Sequence, residues 1–436
     1  MDRLLMYDLL KWKNKAQRKP LLLKGPRQCG KTYLLRAFAD RYFLDTAYFN
    51  FEHQRSLVER FQEDLDVERI VTELGIFRKK PINKDSLIIL DEIQFCPQAL
   101  TSLKYFAEYL PEQAVACAGS LLGIFLAQEG FSFPVGKVEF LSLYPMNFKE
   151  FLIAHQESDL LEYLEKLSPH EKVSSLFEVR LKNYLKTYYI TGGMPEAVDY
   201  WLQHKSLEGL EQIQHNILNS YEFDFSKHVR LHDFPKVSIL WKSIPEQLAK
   251  ENKKFIYGEV KKGFRAKDLE SALQWLIDTG LAYKVIKISK PALPLSAYGD
   301  NSYFKLYLHD VGLLRVMSGL PASAILEENH RDFTEFKGAL AENFTLNEMI
   351  ASFGIKVYYW KSQNSAEVDF VVQLDDQLVP IEVKSEQNAK ARSLGEYRKK
   401  YQPSHSLIVS GENVHGTEVK HIPLYLTWKM KDYLLA

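Results

Sequence analysis

The chain has 436 residues, room for about three domains of ordinary size. Lys plus Arg and Asp plus Glu each number 56, so the net charge is zero; this excludes coating of nucleic acid by bulk charge but leaves room for a local basic patch. Three cysteines, Cys29, Cys96 and Cys117, with no C-x-x-C pair, exclude a disulfide framework and a cysteine zinc site and point to a reducing, cytoplasmic setting.

In chain order, residues 1–15 place Asp8 and Lys11 among apolar positions and read as an amphipathic helix rather than a signal peptide. Pro20 to Lys24 is a short buried strand, and 31–42 is helical by the spacing of Leu34, Leu35 and Phe38. Ala47 to Phe51 alternates like a strand, Ser86 to Leu90 is an apolar run ending in Asp91-Glu92, and 99–110 is helical. Ala114 to Ala118 is a further buried run and Val138 to Leu143 a fifth strand. The charge-free stretch Gln113 to Gln128 contains Gly119-Ser120 and is shorter than the ~20 residues of a membrane span, so no membrane partner is expected. Strands alternating with helices imply a parallel sheet covered on both faces. From Asn147 the pattern is mostly helical, broken at Gly192-Gly193-Met194-Pro195, where a helix should end and the next begin. Strands follow at 281–288 and 303–308, and the last part reads as helix (336–353), strands (356–360, 367–373, 379–384), helix and strand (406–409).

Residues Gly25-Pro26-Arg27-Gln28-Cys29-Gly30-Lys31-Thr32 match G-x-x-x-x-G-K-[ST] between an apolar strand and a helix. The glycines let backbone N–H groups turn inward around phosphates, Lys31 reaches the β- and γ-phosphates, and Thr32 ligates magnesium. Leu87 to Leu90 run straight into Asp91 and Glu92, as a buried strand delivers carboxylates to the ligand-binding edge of an α/β sheet. Asp91 is assigned to the magnesium shell and Glu92 to the base that activates water. With no Asn-Lys-x-Asp guanine reader, the nucleotide expected is ATP. Ser120, after the fourth strand, either touches the γ-phosphate or caps a helix. Cys29 reads as filler rather than a redox switch.

GPRQCGKT, LDEIQ (90–94), AGS (118–120), LSLYPMNFKEF (141–151) and GGMPEAV (192–198) resemble the archaeal and bacterial AAA-type P-loop ATPases. Downstream, LHDVGLL (308–314), FKGALAENF (336–344), EVDFVV and IEVK look like the C-terminal domain of unknown function that accompanies them. The resemblance implies an ATPase of the additional-strand, catalytic-glutamate class, a winged-helix segment and a C-terminal nuclease-like fold. These proteins tend to have Gly-Arg before the fifth strand, where this chain has Gly136-Lys137; Lys carries the charge without the bidentate fork.

Ala266 to Thr279 with 281–288 could form a recognition helix and wing meeting DNA phosphates, or a packing or dimerisation module; Glu270, Gln274 and Asp278 lie on its outer face, and the two carboxylates among them are poor DNA readers. Asp369, Glu382 and Lys384 resemble the core of the restriction-endonuclease-like superfamily. Glu382 and Lys384 share a strand face, Asp369 lies on the preceding strand, and Glu342 on the helix before is a further ligand candidate. The alternative is an inert or binding-only core. The expected organisation is therefore α/β: a P-loop ATPase domain (1–146), a helical lid (147–235), a winged-helix-like segment (236–330) and a restriction-endonuclease-like domain (331–436). The expected function is a magnesium-dependent ATPase controlling a DNA-associated C-terminal module. Two readings compete with it: a nucleotide-switched scaffold binding a protein partner, and an ATP-gated nuclease acting on double-stranded DNA.

Overall fold

The computed structural model describes residues 1–119, 135–250, 253–327, 334–363, 366–385 and 391–435. The chain divides into two compact units, Met1–Tyr144 with Asp278–Gly280, and Pro145–Ile277 with Leu281–Ala436.

The first unit runs α1 (Leu5–Lys13), β1 (Leu21–Lys24), α2 (Lys31–Tyr42), β2 (Asp45–Asn50), α3 (Ser56–Glu63), α4 (Val67–Phe77), β3 (Ser86–Asp91), α5 (Pro97–Tyr109), β4 (Ala114–Ala118) and β5 (Glu139–Ser142). The five strands form one parallel sheet in the order β2-β3-β4-β1-β5. Alternation along each central strand feeds two cores. Leu22, Ile88, Leu90, Val115 and Cys117 pack with Leu57, Ile70 and Leu103 of α3, α4 and α5. Leu21, Leu23, Leu87, Ile89 and Ala116 pack with Leu9, Trp12, Leu35 and Phe38 of α1 and α2. Both faces are covered, which is why these strands read as continuous apolar runs. In sequence β2 lies between the phosphate loop and Asp91, but in space the strand separating β1 from β3 is β4.

The second unit begins with helices α6 (Phe148–Ala154), α7 (Ser158–Lys166), α8 (Ser175–Thr191), α9 (Pro195–His204) and α10 (Leu207–His228). A capping box starts α6: the Asn147 side chain accepts from Glu150 N at 2.9 Å, and Asn147 N donates to Glu150 Oε2 at 3.2 Å. The Gly192-Gly193 pair ends α8 and Pro195 opens α9, as expected. A Cβ on Gly193 would lie 2.0 Å from the Met146 carbonyl oxygen, so only glycine fits. Gly193 N donates to Asp310 Oδ2 at 2.7 Å while Asp310 Oδ1 accepts from Leu313 N at 2.9 Å. The motifs around residues 146, 193 and 310 are thus one packed junction.

Helices α11 (Phe234–Leu248), α12 (Tyr257–Val260) and α13 (Ala266–Asp278) precede β6 (Ala282–Ile288) and β7 (Gly299–Leu308). Then come α14 (Val311–Met317), α15 (Ala322–Leu326), α16 (Thr334–Phe353), β8 (Val357–Lys361), β9 (Glu367–Leu374), β10 (Gln377–Val383), α17 (Arg392–Tyr401), β11 (Leu407–Ser410), β12 (Lys420–Pro423) and α18 (Met430–Leu435). Seven strands form one mixed sheet, β12-β11-β10-β9-β8-β6-β7. β8, β9 and β10 are antiparallel neighbours, and β10, β11 and β12 run parallel. Strand β6, within the 281–288 stretch read as either a wing or part of a packing module, pairs with β7 and continues this sheet through the parallel pair β6–β8, so hydrogen bonding crosses the boundary expected near residue 330. On α13, Leu269, Leu273 and Leu276 are buried and Glu270 and Gln274 exposed, as the periodicity predicts; Ile277 and Asp278 are both half-buried.

Candidate functional site

The phosphate loop turns by repeated left-handed backbone: Gly25 at φ 147°, Gln28 at 64° and Gly30 at 93°. A Cβ on Gly25 would lie 2.1 Å from the Leu143 carbonyl oxygen, so the first glycine is sterically required. Arg3, buried at the start of the chain, donates to the Cys29 carbonyl at 2.8 Å and the Tyr144 carbonyl at 2.6 Å, and so braces the loop from behind. Cys29 is buried with its Sγ 3.5 Å from the Leu143 carbonyl oxygen, consistent with a packing role. Lys31 opens α2, and two of its three ammonium donors go to the carbonyls of Gly25 (3.0 Å) and Pro26 (2.8 Å).

At the end of β3, Asp91 Oδ2 accepts from Thr32 Oγ1 and from Tyr48 OH, each at 2.8 Å, and its Oδ1 accepts from Glu92 N at 3.0 Å. The two motifs that the sequence places about sixty residues apart therefore meet through one carboxylate. Glu92 sits at φ 50°, off the strand, and accepts from Gln94 Nε2. Burial raises the Glu92 carboxyl above its ordinary value; Asp91 adds to this, while Gln94 and Lys31 pull it down. Burial also pushes the Tyr48 hydroxyl up to about 12, with Asp91 acting in the same direction. Tyr48 and Arg3 were not singled out from sequence; Tyr48 Cα pairs with Ile89 in the β2–β3 register, one turn of alternation from Asn50 opposite Asp91. Lys137 is in an ion pair with Glu108 at 3.0 Å. Ser120 lies outside the described residues.

A model of the AAA domain matches residues 17–152. The chain carries an AAA domain. Models of two domains of unknown function match the rest: DUF8612 over 182–324 and DUF4143 over 337–426. Beyond the AAA domain's own model, the large subunit of replication factor C from Archaeoglobus fulgidus is 34% identical over 96 residues, 21% of this chain and 20% of that protein. An uncharacterized protein of Mycobacterium tuberculosis is 33% identical over 81 residues, 18% of this chain and 17% of that protein. The chain thus matches a fifth or less of the length of these curated relatives. Among solved structures, the Walker-type ATPase of Pyrococcus abyssi superposes with a TM-score of 0.47 at 14% identity, covering 72% of this chain and 95% of that one. The ORC2 protein of Aeropyrum pernix gives 0.35 at 15% identity, covering 74% and 93%. Among the described residues no helix is long and apolar enough to cross a membrane.

Apart from the AAA domain, the second unit gathers the C-terminal carboxylates around a lysine. Lys305 of β7 is 1% exposed, and its Nζ lies 2.7 Å from Glu367, 3.8 Å from Glu342 and 4.0 Å from Asp369. Glu342 also pairs with Lys253 and accepts from Tyr307 OH at 2.9 Å. Asp369 Oδ2 accepts from Val383 N at 2.8 Å, and Lys384 pairs with Glu382 at 2.7 Å. Burial pushes Glu342 up, but Lys253 and Lys305 outweigh it and hold the carboxyl down at about 2. Burial, then Glu342 and Glu382, raise Asp369 well above the carboxylate range, which favours its protonated form. Burial raises Glu382 against the pull of Lys384. Asp369, Glu382, Glu342 and Lys384 are thus near one another. Yet among the described residues, the one group of three ligand atoms mutually close enough for a metal is a different one, Glu412, His415 and His421. Lys305, Glu367 and Lys253 were missed from sequence; the available signal was a lysine inside the otherwise apolar strand Phe304 to Leu308.

Proposed function

We propose that this chain is a magnesium-dependent ATPase whose nucleotide site is Gly25 to Thr32 with Asp91 and Glu92. The observation that carries this reading is the 2.8 Å hydrogen bond from Thr32 Oγ1 to Asp91 Oδ2, which joins the loop to the acidic strand end. The residues fit a nucleotide with its metal: the loop turns on Gly25 and Gly30, where Gly25 packs against the Leu143 carbonyl with no room for a Cβ, and a hydroxyl and a carboxylate stand side by side. Thr32 and Asp91 would hold magnesium, which neutralises charge on the β- and γ-phosphates. Lys31 has a donor left for a phosphate oxygen, and the start of α2 adds partial positive charge. Glu92, positioned by Gln94, accepts the proton of the attacking water as its oxygen bonds to the γ-phosphorus and the bond to ADP breaks. Glu92→Gln keeps the hydrogen-bonding shape without the base. It should bind ATP as the parent does and lose about 10²–10⁴-fold in turnover; unchanged turnover would make Glu92 a structural strand end.

For the C-terminal unit we favour a binding module over a nuclease, on the position of Lys305. A restriction-endonuclease-like core holds its metal between carboxylates, and here a buried ammonium stands among Glu342, Glu367 and Asp369. The incorporation of β6–β7 into the seven-stranded sheet likewise supports packing rather than a free DNA-reading wing. Control of a double-stranded DNA or protein partner by ATP is separated by a mobility-shift assay with and without ATP. Plasmid nicking with magnesium would instead favour the nuclease.

A further inference from the structure

Between β11 and β12, the chain turns through Glu412 to Gly416 and returns so that His415 and His421 face one another. His415 N donates to the His421 carbonyl at 3.3 Å and His421 N to the His415 carbonyl at 2.8 Å, a directly opposed antiparallel pair whose side chains share one face. The two imidazoles stack with centroids 3.9 Å apart, so one ring has to turn about its side-chain bonds before both nitrogens point at the same ion. Glu412 Oε2 lies 3.3 Å from His415 Nε2 and 3.6 Å from His421 Nδ1. Both distances exceed the 2.7–3.2 Å of a good hydrogen bond. They are close to the separation between ligand atoms sharing one ion: metal bonds of about 2.0–2.1 Å at tetrahedral angles put neighbouring ligand atoms about 3.3–3.4 Å apart. Two further features are those of a ligand set. His415 Nδ1 is 2.8 Å from the Asn413 carbonyl, which fixes the proton there and leaves Nε2 with its lone pair toward Glu412. His421 Nδ1 is shielded from solvent and has no hydrogen-bond partner.

We propose that Glu412, His415 and His421 form a binding site for a divalent transition-metal ion of the zinc, cobalt or nickel class. Two imidazoles and one carboxylate select such ions over magnesium, which prefers oxygen ligands. Three protein ligands leave a fourth position, open to water on the exposed His415 side. The site would clip an edge of the sheet. Asn413, inside the same turn, accepts from Val173 N at 2.9 Å and donates to the Val173 carbonyl at 2.8 Å and to Glu178 at 2.7 Å. An ion here therefore fastens β12 to the turn that holds the start of α8.

The test uses the full chain without nucleotide, dialysed against Co²⁺ in excess Mg²⁺ so that oxygen-only sites are occupied. One equivalent of Co²⁺ with a visible ligand-field band is expected. His415→Gln and His421→Gln should each weaken binding by about tenfold or more. His415 is exposed, so its variant keeps the fold, and Co²⁺ should raise the melting temperature of the parent but not of His415→Gln. No bound Co²⁺ in the parent, or parent-like Co²⁺ binding in both variants, overturns the proposal.

Discussion

Replacing Lys305 with methionine keeps most of the side-chain stem and removes the ammonium from among Glu342, Glu367 and Asp369, which lie 2.7 to 4.0 Å from it. Removing one partner of a buried ion pair typically costs about 3–5 kcal/mol, because the other charge stays buried. Lys253 still faces Glu342 and Lys361 still faces Glu367 at 2.9 Å, so the loss should fall near the lower end, about 3 kcal/mol. Urea unfolding of the full chain at neutral pH, without nucleotide and in chelator, measures it. Millimolar Mg²⁺ should then restore part of the loss in Lys305→Met, since a hard cation beside the ionised Glu342 and Glu367 carboxylates replaces the missing charge. The same Mg²⁺ should leave the parent's midpoint unchanged. A loss under about 1 kcal/mol, the range of an exposed pair, would refute the reasoning, as would equal Mg²⁺ stabilisation of both proteins. Nicking of plasmid by the parent would refute the binding-only reading directly.

Lys31→Ala should abolish ATP binding at micromolar protein, because backbone N–H groups carry only partial charge and no neighbour replaces the ammonium; equilibrium binding of labelled ATP measures this. Glu348 is fully buried, its Oε1 accepts from Phe148 N at 2.8 Å, and burial with Glu150 nearby raises its carboxyl to about 8. Its folded value lies above the unfolded one, so its contribution is full below about 4.3 and is lost as pH rises through the folded value, about 5 kcal/mol across that window. Glu348→Gln should therefore flatten the pH dependence of the melting temperature, gaining on the parent at pH 8.5 relative to pH 5; a parallel pair of curves would count against a buried neutral carboxyl.

What the sequence by itself determined is mostly local. The phosphate loop is one contiguous segment whose chemistry depends on spacing within eight residues, so GPRQCGKT could be read directly. The strands of the AAA domain are buried on both faces, so their apolar runs marked them. The Gly192-Gly193 junction was legible as a helix end, though not as the partner of Asp310, because a hydrogen bond across more than a hundred residues leaves no periodicity behind. The tertiary structure alone decided which strands are neighbours: β4 between β1 and β3, and β6 beside β8, since pairing depends on register between distant segments. It also decided the state of the C-terminal carboxylates. Glu367 and Asp369 share a face of β9 by simple alternation, as Glu382 and Lys384 do along the neighbouring segment, but nothing in those patterns places Lys305 among them. A lysine in a strand reads as a solvent-facing residue, and only the approach of three acidic side chains from β9 and α16 makes its burial tolerable.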